Sequence, residues 1–268
     1  MRTFALIAGI LTFITQGQTA RSQEEKSKPA TVSYASRADS FKIRGNVSIS
    51  GLIQTGNEMR TVASLLSVIT FGKKSYEVEP LTSIAYSTKP GKQVEGEYLE
   101  NVIIRLAPER RCYPAIGLSA EKSYLRKIDY RWSAGATLVC NIVKLKDQVI
   151  KLGVGYNHEF TQYVRGAFEP PFIPGDNYYG RNLDQVYIRL KGKNNFFTGK
   201  LVLSYDFFYQ PSIRDLTDYR WTLIGNLDIP LSRTISFRSS AVDSYEQFVA
   251  TGVYKNNFRL TYGVNASF

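Results

Sequence analysis

The charged residues of this chain are spaced for electrostatic work rather than for bond-breaking. Along segments in which apolar and polar residues alternate, the polar positions hold Lys42, Arg44, Arg105, Arg131, Lys151, Arg189, Lys191, Lys200, Arg220, Arg238 and Arg259. The same positions hold the carboxylates Glu77, Glu79, Asp206 and Asp228, so basic groups outnumber acidic ones. Rings of Arg and Lys around a bore favour anions. One reading is therefore a path or binding lumen for small anions. The other is that these charges pair across the interior and fill it. Nucleophilic catalysis is poorly provided for. His158 is the only histidine, and position 160, the next on its strand face, is Phe. A lipid hydrolase on that face would need a nucleophile within hydrogen-bond reach of the His. No spacing ties Ser119 or Ser133 to His158, and His158 with Glu159 is too sparse for zinc. No enzyme activity, cofactor or metal is expected.

Such a charge set must be carried by strands, whose side chains alternate between two faces. The last stretch reads F-R-L-T-Y-G-V-N-A-S-F. Phe258, Leu260, Tyr262, Val264, Ala266 and Phe268 fall on one parity, and Arg259, Thr261, Gly263, Asn265 and Ser267 on the other. A membrane-crossing β-strand needs about 9–11 tilted residues. The stretch is read as the closing, membrane-inserting strand of a barrel rather than the edge of a soluble sandwich. Comparable alternation occupies Phe41–Ile53, Thr61–Phe71, Tyr76–Tyr86, Glu97–Leu106, Cys112–Lys122, Ile128–Val143, Val149–His158, Asp184–Lys191, Phe197–Tyr209, Tyr219–Ile229 and Thr234–Val242. The predicted fold class is all-β: a single up-and-down antiparallel transmembrane β-barrel of about twelve strands, of the outer-membrane type. Pro80, which cannot donate to a ladder, predicts a bulge.

Connections after even strands are short. Those after odd strands are mostly longer and polar, and Glu159–Leu183 is the longest irregular stretch. That asymmetry, with an even strand count, predicts both termini in the periplasm. Tyr86, Tyr130, Trp132, Tyr156, Phe207, Tyr209, Tyr219 and Trp221 are expected to form one aromatic girdle. Tyr76, Tyr113, Phe197, Phe237 and Phe268 are expected to form the other. Residues 1–22 read as a secretory signal peptide, with Arg2 before the apolar core Phe4–Ile14. Residues 23–40 read as a flexible periplasmic leader, and 41–268 as the barrel. The formal charge is +11. For a secreted barrel it excludes nucleic acid by compartment, and it suits the anionic lipid and lipopolysaccharide of an outer membrane. Cys112 and Cys140 share the outward parity of adjacent strands. An oxidising periplasm permits a disulfide. Cross-strand Cβ spacings of about 4.5–5.5 Å favour two separate thiols instead.

Several segments resemble the family of salt-induced outer-membrane proteins of unknown function (YdiY-like). They are Gly51-Leu52-Ile53-Gln54-Thr55-Gly56-Asn57, Tyr124-Leu125-Arg126-Lys127-Ile128-Asp129-Tyr130-Arg131, Ile229-Pro230-Leu231-Ser232 and Leu260-Thr261-Tyr262-Gly263. Their order spans most of Phe41–Phe268. The resemblance implies an outer-membrane location and supplies no established activity. A barrel of this location implies the barrel assembly machinery as a partner. Three functions are carried forward: a narrow channel or binding barrel favouring small anions, a structural or stress-related envelope protein with a plugged lumen, and an outer-membrane lipid hydrolase.

Overall fold

The computed structural model describes residues 41–54, 60–89, 92–169 and 179–268. The expected signal and leader, residues 55–59 after the first strand and residues 170–178 of the longest irregular stretch lie outside the described residues. Twelve strands run in order: β1 (Lys42–Gln54), β2 (Arg60–Gly72), β3 (Tyr76–Lys89), β4 (Lys92–Leu106), β5 (Cys112–Ser123), β6 (Ile128–Lys144), β7 (Gln148–Tyr163), β8 (Tyr179–Phe196), β9 (Leu201–Pro211), β10 (Tyr219–Pro230), β11 (Ile235–Glu246) and β12 (Asn256–Ser267). Each pairs antiparallel with its sequence neighbours, and β1 pairs with β12, so the sheet closes on itself. Closure leaves no edge of unpaired backbone groups. No helix among the described residues is long and apolar enough to cross a membrane, which says nothing of strands.

The seam shows how sequence sets the closure. Gly45 and Phe268 exchange both backbone hydrogen bonds, at 2.9 and 3.0 Å. A Cβ on Gly45 would lie 2.6 Å from Cζ of the Phe268 ring. Glycine leaves the space that the terminal ring occupies, and the ring covers a residue with no side chain of its own.

Alternation sorts the two faces as the parity predicts. Ile43, Ile49, Ile84, Ile116, Leu138, Val154, Leu190, Ile229, Phe237, Leu260 and Val264 are exposed on the outer wall. Glu79, Arg105, Arg131, Asn157, Glu159, Asp228 and Asn265 are buried within. This inverts the soluble pattern, in which the large apolar residues are the ones most often buried. One end of the barrel carries the first and last strand ends and the connections 73–75, 107–111, 145–147, 197–200 and 231–234; we call it the termini end. The other, the loop end, carries the remaining connections.

Several expectations change. β7 and β8 extend well into the stretch expected to be irregular, because inward Glu159, Thr161 and Tyr163 continue the parity of Lys151. β8 also runs on past Lys191, the expected end of that strand, to Phe196. The chain reverses instead at Phe197–Gly199, a single 3-10 turn in which Phe197, Thr198 and Gly199 all have positive φ. Lys200 caps that turn and is exposed, so it leaves the lumen set. Pro80 makes no bulge. The β2–β3 register is the same on both sides of it, and the ladder is merely interrupted between Leu81 and Val78. Tyr113 is buried inside the bore, not part of a girdle, because it takes the parity opposite to Cys112. Cys112 and Cys140 are disulfide-bonded, which overturns the reading of two separate thiols. Asn141 N–H donates to Arg111 O at 2.7 Å, so the next pair, Cys112 and Cys140, is a non-hydrogen-bonded one. Side chains approach more closely at such pairs, and here the Cα atoms lie 4.1 Å apart.

Candidate lumen site

The charged side chains inside the barrel form two separate belts. The belt nearer the loop end is built from β5, the β5–β6 turn, β6, β7, β10 and β11. Arg131 donates from Nη1 to Glu246 at 2.8 Å and to Glu121 at 3.2 Å, and from Nε to Thr161 at 2.9 Å. Its Nε also lies 3.3 Å from Glu159. Arg126 donates to Glu246 at 2.9 Å and to Ser244 at 2.8 Å. Arg220 pairs with Glu159 and donates to Gln210 at 2.8 Å. Three guanidinium groups thus face three carboxylates. Burial opposes the charge on Arg126, in the turn, but Glu246 and Glu121 outweigh it and hold its pKa above the ordinary value.

Above this belt lies an apolar lid. Ile128, Tyr163, Ala167 and Ala250 are buried together, with Phe168, Tyr179, Phe248 and Val253 packed on them. The Tyr163 and Phe168 ring centroids are 5.0 Å apart in an edge-to-face contact, and the Arg181 guanidinium lies 4.1 Å from the Phe248 centroid. Three connections are tied here. Val164 N–H donates to Lys127 O at 2.9 Å, Thr251 N–H to Ala167 O at 2.9 Å, and Lys127 Nζ to Thr251 O at 2.8 Å.

The belt nearer the termini end is differently balanced. Arg44 donates to Glu77 at 2.7 Å. Arg105 grips both oxygens of Glu79 at 3.0 and 2.8 Å, and Arg189 grips both oxygens of Asp206 at 2.8 and 2.5 Å. Such bidentate pairs are the strong ones. Lys191 sits 3.9 Å from both Glu79 and Asp206, and Lys151 donates to the Tyr113 hydroxyl at 3.2 Å. Beside the seam, Arg238 grips Asp228 at 2.7 and 2.9 Å and donates to Ser48 at 2.7 Å. Toward the loop end, Arg259 near the start of β12 lies 4.0 Å from Glu97 near the start of β4; at the termini end Lys42 is exposed where β1 begins. Of the basic residues that the sequence places in the lumen, all but Lys200 and Lys42 are therefore seen there beside a partner group. The sequence reading missed Arg126, Glu121, Glu159 and Glu246. For Glu159 and Glu246 the signal was present: each continues the inward parity of its strand into what reads as loop.

The residues considered for catalysis are separated by the wall. Ser119 and Ser133 share an inward hydrogen bond of 2.7 Å. His158 lies on the outer face, its Nδ1 2.9 Å from Asp184, which also accepts from Tyr156 at 2.5 Å. Its neighbour Glu159 points inward to Arg131 and Arg220. Among the described residues no group of three His, Cys, Asp or Glu could hold a metal ion.

No protein-family model and no curated protein matches the chain. Solved structures do. The NanC porin aligns with a TM-score of 0.48 at 11% identity, over 83% of this chain and 98% of that one. The translocator domain of the autotransporter NalP from Neisseria meningitidis aligns at 0.47 and 10% identity, over 99% and 96%. The outer-membrane channel DcaP of Acinetobacter baumannii aligns at 0.36 and 9%, over 85% and 97%. The closed ladder itself, rather than these likenesses, defines the fold.

Proposed function

We propose that the chain is a bacterial outer-membrane β-barrel of the salt-induced type, with its termini end in the periplasm and a lumen that binds small anions. The observation that carries the membrane part is the outer wall. Large apolar residues are exposed on every strand but β9, whose outward Leu203, Tyr205 and Phe207 are half-buried, while charged ones are buried inside. Soluble monomers rarely expose contiguous apolar patches beyond a few hundred Å². Tyr86, Tyr130, Trp132 and Tyr156 are exposed toward the loop end, at the level where aromatic rings sit between lipid and water. The anion preference is supported by the surplus of cations in the termini-end belt, for which a bound or passing anion is the natural complement. Fractionation tests the location: the protein is expected in the outer-membrane pellet, and recovery from the soluble periplasm ends the proposal. Reversal potentials across planar bilayers, or anion binding where no current flows, test the preference, and a cation-selective barrel ends it.

A second reading, a structural envelope protein with a filled bore, is favoured by the loop-end belt and its lid. Both readings share one prediction, that conductance through the resting barrel is low. They part over whether anions bind.

A further inference from the structure

We propose that Lys151 and Lys191 form a binding site for a divalent oxyanion, entered from the termini end and closed toward the loop end. The proposal rests on the anion-lumen reading above and narrows it to one pair of residues, one ligand class and one direction of entry.

Three carboxylates in the termini-end belt are already claimed. Glu77 is held by Arg44, Glu79 by Arg105 and Asp206 by Arg189, each at 3.0 Å or less. Two cations are left over, and they are Lys151 and Lys191. Lys151 has a neutral phenol as its hydrogen-bond partner. Lys191 stands 3.9 Å from carboxylates that already carry bidentate arginines. Among the described residues Lys151 is seen in no ion pair, and Lys191 reaches only carboxylates that arginines already grip.

The ladder then places these two lysines directly opposite each other on β7 and β8. Like charges in directly opposed positions destabilise a sheet. A folded chain that sets two ammonium groups side by side in a bore, beside a matched set of ion pairs, has left a charge for something else to complete. The ligand chemistry follows. Ammonium groups present compact charge and three rotatable donors each, suited to phosphate-like oxygens. Tyr113, buried in the bore, accepts from Lys151 and so keeps its own proton to donate. A tetrahedral oxyanion with two charges offers several acceptor oxygens to the opposed ammonium groups and matches their combined charge. Chloride offers one centre only. The closed ladder keeps lipid headgroups out, so the anion is a solute.

Exposure sets the direction of entry. The Lys191 side chain is 43% accessible and that of Arg44 66%, whereas those of Arg131, Glu159 and Glu246 are 6%, 2% and 9%. Water reaches Arg44 and Lys191 of the termini-end belt most freely, whereas no group of the belt beneath the lid exceeds the 22% of Glu121.

The test is calorimetric titration of the refolded full chain in detergent with inorganic phosphate, sulfate and chloride at low ionic strength. Heat-modifiable gel mobility checks that each variant is folded. Phosphate and sulfate are expected to bind more tightly than chloride. Lys191→Met and Lys151→Met are each expected to weaken phosphate by at least about tenfold. Lys122→Met, on the outer wall, is expected to change nothing. A second measurement needs no variant: excess phosphate should shield Lys151 and Lys191 of the wild-type protein, and not Lys122, from acetylation. Phosphate binding that survives both lysine substitutions, or that leaves both lysines open to acetylation, overturns the site while leaving the anion lumen standing. Anion-selective reversal potentials with no oxyanion binding do the same. Absence of both binding and anion preference overturns the site and the function together.

Discussion

The two charged belts inside this barrel are made of the same residue types and do opposite things. Near the loop end, Arg126, Arg131 and Arg220 meet Glu121, Glu159 and Glu246, with every group largely withdrawn from water. Near the termini end, four arginines and two lysines face four carboxylates, and solvent reaches Arg44, Glu77 and Lys191. Taking charges out of water costs several kcal/mol per ion, so a dry belt must be matched to exist at all. A wet belt can keep a surplus. Exact matching therefore marks a seal, and imbalance marks a place where a solute can complete the set.

The comparison is broken most severely by unbalancing the dry belt. Glu246→Ala removes the carboxylate that Arg126 and Arg131 share and leaves three guanidinium groups to Glu121 and Glu159; removing one partner of a buried pair costs about 3–5 kcal/mol. Unfolding in detergent by urea or heat should show that loss. A change under 1 kcal/mol, on the order of a surface pair, would mean water already enters the belt. The matching change at the wet end is milder. Glu79→Ala removes the bidentate partner of Arg105, but Glu77 remains 3.7 Å away, so a loss of about 1.5–3 kcal/mol is expected from the same unfolding curves. Third, the surplus predicts a reversal of sign. Without added oxyanion, Lys191→Met should stabilise the barrel by about 0.2–1 kcal/mol through relief of the opposed lysines. Arg131→Met in the dry belt should destabilise it. Two changes of the same sign would erase the distinction between the belts. Smallest of all is Arg44→Ala. Its pair with Glu77 is exposed and should contribute at most about 1 kcal/mol, fading as salt rises. Melting at low and high ionic strength would reveal it.

Much of this was legible in the sequence, and the reason is the period of a strand. A repeat of two survives tilt, twist and closure, so the parity of Phe258 to Phe268, or of Tyr130 to Ile142, reads out outer wall and bore without knowledge of what lies across the bore. The strand count and the pairing order follow from it. Ends of strands were less legible. Glu159 and Glu246 look like loop residues because polarity at a rim means little unless parity is carried one step further. Side-chain partners were least legible, because parity says that Arg131 and Glu246 both point inward and nothing about their meeting across the bore from β6 and β11. The disulfide lay in the same blind spot. Whether a cross-strand pair falls in a wide or a narrow position depends on which backbone groups bond, and that is set by the neighbouring pair Arg111 and Asn141.

That bridge has a further consequence. A slip of one residue between β5 and β6 would turn one strand's whole apolar set toward the bore, and would carry one sulfur inside while leaving the other outside. Once Cys112 and Cys140 are joined, that misalignment is covalently forbidden. The hairpin becomes a fixed ruler against which its neighbouring strands can be laid down.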